Sequence, residues 1–210
     1  MYAVTKTSVG RTWLRGGIVI SVALGLYGLV TASSAAPPWL VPTPIGAGPK
    51  FHPPALNTRV THRRSVGSLR CDRSDTGRFG VHLELFARGR VVVVPAGIAV
   101  APPWRSVRPH VLEGACSYAA RTRTSIGVIE VASGSRITLG EFFDLWGQPL
   151  APRRLVGFRT MPRQPVRAYV DGVKWRGALR SIRLRRHSAI ALELGRYVPP
   201  HPSFRFEVGL

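Results

Sequence analysis

Downstream of an apolar leader, one stretch alone, Thr138–Gly147, carries a complete helix signal, and proline and glycine punctuate the rest too often for long helices. Thr138-Leu139-Gly140-Glu141 is a capping box, in which the threonine accepts from first-turn amides and the glutamate reaches back. Phe142, Phe143, Leu145 and Trp146 give the short helix an apolar face; Gly147 ends it, and Pro149 and Pro152 oppose its continuation. The other ordered signals are those of strands. Val81–Phe86 alternates, Ala87-Arg88-Gly89 turns, and Arg90–Val94 returns before Pro95. Ile98–Ala101 is a shorter apolar piece, Pro102–Gly114 is loop-like, and Ile126–Val131 is a further strand before the turn Ser133-Gly134-Ser135. Val166–Val170 and Val173–Trp175 flank Asp171-Gly172, a strong hairpin turn. Ile182–Leu184, Ala189–Leu194 and a last edge strand at Phe204–Val208 complete the set. These signals predict an α+β domain, mostly antiparallel β with one short helix; a β-sandwich with one helix is the alternative.

The leader sets the compartment. Lys6, Arg11 and Arg15 precede an uncharged stretch from Gly16 to Ala36 that closes as Ala32-Ser33-Ser34-Ala35-Ala36-Pro37-Pro38. Ile18–Val30 has the length of a cleaved signal core, while extension to Ala36 reaches the roughly 20 residues that span a bilayer. Both readings stay open, and in both the leading cations stay in the cytoplasm and the rest is exported. The expected organisation is therefore a signal peptide or membrane anchor over 1–36, a Pro-rich extended linker over 37–68, and a single exported β-rich domain over 69–210. The expected location is the cell membrane with an extracytoplasmic domain, or secretion after cleavage.

Charge and cysteine follow from that compartment. The chain has 30 Lys+Arg against 10 Asp+Glu, a net charge of +20. Lys6, Lys50 and Lys174 are the only lysines; GC-rich codons account for part of the arginine excess. Export argues against a nucleic-acid target and for an anionic lipid surface, a wall polymer or another envelope protein. Arg121, Arg123, Arg183, Arg185 and Arg186 are the candidate anionic contacts. Outside the cytoplasm, Cys71 and Cys116 most simply form one disulfide, with free thiols or metal ligation as alternatives. A loop of that length is worth about 4 kcal/mol in the chain-entropy account.

Catalytic signals are sparse. The histidines show neither His-x-His nor His-x3-His spacing, and there is no Cys-x2-Cys. His52 and His62 fall in the linker and His110 in a loop; His82 and His187, with a carboxylate and with His201 as a further ligand, are the candidates for a divalent metal. No other cofactor is implied. Met161 and Cys116 lack the neighbours of a blue-copper site, and Cys116 has no identifiable base in His110 or His187. There is no Gly-x-Ser-x-Gly. Glu130, Glu141, Asp144, Asp171 and Glu193 all have structural explanations, as caps, turns or partners for arginine. Trp146, Trp175, Phe142 and Phe143 read as core, with a sugar-stacking platform as the sharper alternative.

Phe79–Leu210 resembles a family of N-terminally anchored exported proteins of high-GC Gram-positive bacteria with no established activity. The resemblance rests on His82-Leu83-Glu84-Leu85-Phe86, Val94-Pro95-Ala96-Gly97-Ile98 and Thr138 to Gly147, then Tyr169-Val170-Asp171-Gly172 and His187-Ser188-Ala189-Ile190. It implies, in broader relatives, a His-x-His on the first strand and a His-Thr-His-Asp followed by Gly-Ile-Ile-His before the helix, a set that looks like a metal site. Here the corresponding positions are Gly80 or Leu83 beside His82, then Arg121-Thr122-Arg123-Thr124 and Gly127-Val128-Ile129-Glu130. Guanidinium does not ligate a divalent metal, so the resemblance implies a scaffold kept and a site lost. The expected function is a non-enzymatic binding or structural module of the cell envelope; a metal-binding protein or metal-dependent enzyme using His82 and His187 is the alternative.

Overall fold

Short strands gathered around one long one make up the structure, a computed structural model that describes residues 48–54, 65–73, 77–161, 164–199 and 203–210. The leader, His62 and His201 lie outside the described residues. β1 (Lys50–Phe51), β2 (Ser65–Val66) and β3 (Leu69–Arg70) precede β4 (Arg78–Ala87), which turns into β5 (Arg90–Val92). An excursion follows through β6 (Val100–Ala101), β7 (Arg105–Val107), β8 (His110–Glu113), β9 (Cys116–Ser117) and β10 (Ala120–Arg121) before β11 (Val128–Ala132). Helix α1 (Leu139–Trp146) leads to a small meander, β12 (Leu150–Ala151), β13 (Arg154–Leu155) and β14 (Phe158–Arg159). β15 (Arg167–Val170), β16 (Val173–Lys174) and β17 (Ala189–Leu194) complete the order.

β4 organises the main sheet. Along one edge it pairs with β17 in parallel, from His82 opposite Ala189 to Ala87 opposite Leu194. The first half of β4 also pairs antiparallel with β11, and its last residues pair with β5. β10 extends the sheet beyond β11, β1 lies parallel to β5, and β15–β16 lie antiparallel beyond β17. Both expected hairpins have two-residue turns with positive φ at both positions, Arg88-Gly89 (52° and 74°) and Asp171-Gly172 (51° and 79°). Their twist matches that of the flanking strands.

Alternation along β4 sends Val81, Leu83 and Leu85 into the main core, with Ile129 and Val131 of β11 and Ile190 and Leu192 of β17. Phe142, Phe143, Leu145 and Trp146 belong to the same core. The capping box forms as the sequence predicts. Glu141 N donates to Thr138 Oγ1 at 3.3 Å, and Thr138 N donates to Glu141 Oε2 at 2.8 Å. Gly147 closes the helix in the left-handed region at φ 71°. The fold is thus α+β, mostly antiparallel β with one short helix.

Several expected boundaries move. Two pieces of the expected spacer are strands, β1 on the main sheet and β2 in a hairpin with β3. Phe51 packs edge-on to Phe158 at 4.7 Å, and that apolar anchor orders a stretch whose composition reads as linker. Ile98–Ala101 is interrupted by Ala99 at φ 60°, so only Val100–Ala101 pairs, with β9. Ile182–Leu184 follows a 3-10 turn and makes a single bridge, Thr138 with Arg183, through which it laces the entry to α1. Phe204–Val208 is no strand; it is held by its side chains. Among the described residues no helix is long and apolar enough to cross a membrane.

Candidate functional site

The face of the sheet opposite α1 carries Gly80, His82, Glu84 and Phe86 from β4. β17 contributes Ala189, Ala191 and Glu193, and β11 contributes Val128 and Glu130. A row containing His82, Glu84, Glu130 and Glu193 would ordinarily face water, yet all four are buried. The segment Ser203–Leu210 covers part of this face. Phe204 stacks on His82 with ring centroids 3.8 Å apart and planes 14° apart. Phe206 stacks on His187 at 4.9 Å and meets Phe204 edge-on at 5.0 Å. Gly80 makes this seat: a Cβ there would lie 2.3 Å from the Phe206 ring, where no side chain fits. His82 Nε2 donates to Ile126 O at 3.2 Å, which defines its tautomer. His187 Nε2 donates to Leu210 O at 2.6 Å.

Beside these rings lies a charge cluster. β10–β11 register places Arg121 opposite Glu130. Arg121 Nε donates to Glu130 Oε2 at 3.0 Å, and Arg121 Nη1 to Ser117 Oγ at 3.1 Å. Arg123 Nε donates to the other carboxylate oxygen, Glu130 Oε1. One buried carboxylate thus holds two guanidiniums. Glu207 and Leu210 close a cavity of about 40 Å³ above the cluster, lined also by His110, Leu112, Arg123 and Glu130. That volume holds a few waters and no substrate. Burial raises the Glu207 carboxyl above its ordinary value, with Arg123 opposing the shift and Glu130 adding to it. Burial, then Arg123, pushes the His110 imidazole down.

The residues that sequence reasoning grouped do not assemble as a catalytic or metal site among the described residues. Cys71 and Cys116 are bridged, with Cα atoms 5.5 Å apart, so Cys116 offers no nucleophile. His82 and His187 each stack on a phenylalanine of the same segment, and among the described residues no group of three His, Cys, Asp or Glu could hold a metal. The residues at the place of the resembled histidines do not suit a divalent cation, because both Glu130 oxygens are taken by Arg121 and Arg123. Arg121 is 7% exposed and Arg123 is half-buried, which corrects their expected role as surface anion contacts. Arg183, Arg185 and Arg186 are exposed, with the Arg186 guanidinium 5.1 Å from the Phe79 ring centroid.

Four further acids have structural partners. Glu193 is fully buried and accepts from Arg167 at 3.0 Å. Asp144 pairs with Arg180 and Glu113 with Arg105, both at 2.6 Å, while Asp171 Oδ1 accepts from Ala189 N at 2.8 Å. Trp146, Phe142 and Phe143 are core and form no sugar platform; Trp175 is partly exposed and packs on Gly177. Sequence reasoning missed the seat of Phe204, Phe206 and Glu207. Their alternation is that of an edge strand, and no local signal says that the rings, rather than the backbone, make the contact. No family model, curated protein or solved structure matches this chain.

Proposed function

We propose that this is a membrane-tethered or exported envelope protein whose folded domain is a non-enzymatic module that holds an anionic envelope component, a phosphate-bearing lipid or wall polymer. The observation that carries this reading is the distribution of charge. Glu130 and Glu193 are held in buried pairs, and Asp144 and Glu113 in pairs at the surface, whereas Arg183, Arg185 and Arg186 are exposed and, among the described residues, meet no carboxylate. Lys174 and Arg176 add to the same stretch, which contains no acid from Gly172 to Ser188. Guanidinium groups pair bidentately with phosphate, so exposed arginines this close together in the chain suit a repeating phosphate. The Cys71–Cys116 bridge supports an oxidising compartment. The cluster at Glu130, whose two carboxylate oxygens are both taken by arginines, supports binding over catalysis at that place.

The test is titration of the full chain, held in neutral detergent, with a soluble glycerol-phosphate polymer at rising salt. Binding should weaken steeply with salt. Replacing Arg183, Arg185 and Arg186 together by Gln should reduce affinity by at least tenfold. An unchanged affinity in that variant would overturn the reading.

A further inference from the structure

The core face of the main sheet runs out of cover at its edge strand, β16. Register sets Ile190 of β17 opposite Val170 of β15, and Val170 opposite Val173 of β16. One row along, Leu192 pairs with Ala168, and Trp175 N donates to Ala168 O at 2.8 Å, which sets Trp175 beside it. Two apolar rows thus cross from the core to the edge, Ile190–Val170–Val173 and Leu192–Ala168–Trp175. Burial is lost along them: Ile190 and Leu192 are buried, whereas Val173 is 71% and Trp175 37% exposed. The Trp175 ring is held in place. It lies against Gly177, where a Cβ would come within 3.0 Å of it, and its Nε1 donates to Ala178 O at 3.2 Å. Covering that ring therefore leaves no indole donor unpaired. Lys174 and Arg176 alternate with Val173 and Trp175; both are exposed, and among the described residues neither pairs with a carboxylate.

We propose that Val173 and Trp175 seat this edge of the sheet in an anionic lipid surface, with Lys174 and Arg176 on the headgroup phosphates beside them. Resting on the domain's proposed hold on an anionic envelope component, this seat selects lipid over polymer. A phosphate polymer in water meets the two cations but leaves both apolar side chains in water. A protein partner needs about 800 Å² on this side, far more than two side chains supply. A bilayer interface answers both features at once. Its phosphates attract cations near the surface, its acyl chains lie just beneath them, and tryptophan collects at that boundary. No shape complementarity is required, so an edge of two apolar side chains between two cations is sufficient.

The seat is tested with the full chain reconstituted in phosphatidylcholine vesicles, with and without phosphatidylglycerol. A bimane label goes on the Val173→Cys chain, whose own two cysteines are bridged and do not react. Lipid brominated on its acyl chains should quench that label about twofold more strongly when phosphatidylglycerol is present. Adding Trp175→Ser should remove the excess. The same label on Val208→Cys, a fully exposed valine beside Glu207, should show no excess and controls for the dye itself. Equal quenching at the two positions, quenching at Val173→Cys that ignores phosphatidylglycerol, or an excess that survives Trp175→Ser overturns the lipid seat. Titration with the glycerol-phosphate polymer separates this outcome from the broader reading. Absent quenching, with polymer binding still dependent on Arg183, Arg185 and Arg186, removes the lipid seat alone. Polymer binding indifferent to those arginines removes the broader reading, whatever the label shows.

Discussion

Glu130 shows how one side chain can decide the character of a region. It sits almost fully buried between Arg121 and Arg123, so removing its charge takes a shared carboxylate away from two guanidiniums. Glu130→Gln should destabilise the fold by about 3 kcal/mol, read from chemical denaturation, because an uncompensated buried charge is worse than none. Replacing Arg121, Glu130 and Arg123 together by Met, Leu and Leu should be milder than that single change. The cavity above makes opposite demands on pH. Glu207, raised from 4.5 chiefly by burial, contributes stability that is fully present below 4.5 and is lost as pH rises through its folded value. His110, lowered from 6.5 by burial and then Arg123, contributes stability present above 6.5 and lost as pH falls through its folded value. Glu207→Gln should therefore weaken the loss of stability as pH rises above 4.5, and His110→Asn should weaken the loss as pH falls below 6.5. Denaturant unfolding of each variant across about pH 4 to 7 measures both slopes.

Among elements, legibility tracked how local the deciding interaction is. Helix α1 is written in ten consecutive residues, cap, apolar face and glycine stop, and it forms as read. Thr138→Ala should cost about 1 kcal/mol in thermal or denaturant unfolding, since it removes the acceptor for Glu141 N. Phe143, completely buried in the core, should cost about 3–5 kcal/mol when cut to Ala. The two hairpins were equally plain, because a two-residue turn with positive φ is a property of the turn alone. β1 was hidden because its pairing partner, β5, lies about forty residues away and its ring contact, Phe158, farther still. The candidate site was half legible. His82, His187, Arg121, Arg123 and Glu130 were singled out in the sequence, but their assembly was not. Glu130 pairing with both arginines depends on register between β10 and β11, and Phe204 and Phe206 settling on the histidines depends on a glycine more than a hundred residues earlier.

At the scale of the whole molecule, the disulfide ties the strand before β4 to the excursion after it. Cys71→Ser with Cys116→Ser should lower stability by about 2–4 kcal/mol, measured against the oxidised chain. Intact mass from the native cell, with and without reductant, should reveal a two-hydrogen deficit that reduction restores, and the same spectrum reads whether the leader remains. β4 carries one further implication. Its parallel partner, β17, begins about a hundred residues downstream, with the helix and the whole meander made in between. A chain emerging from its N-terminus therefore presents the flank of its longest strand bare until almost the last residues have appeared. Ribosomal pausing or truncation anywhere before Ala189 would leave an adhesive edge in place of a folded domain, so production of this protein has a point of vulnerability late in its synthesis.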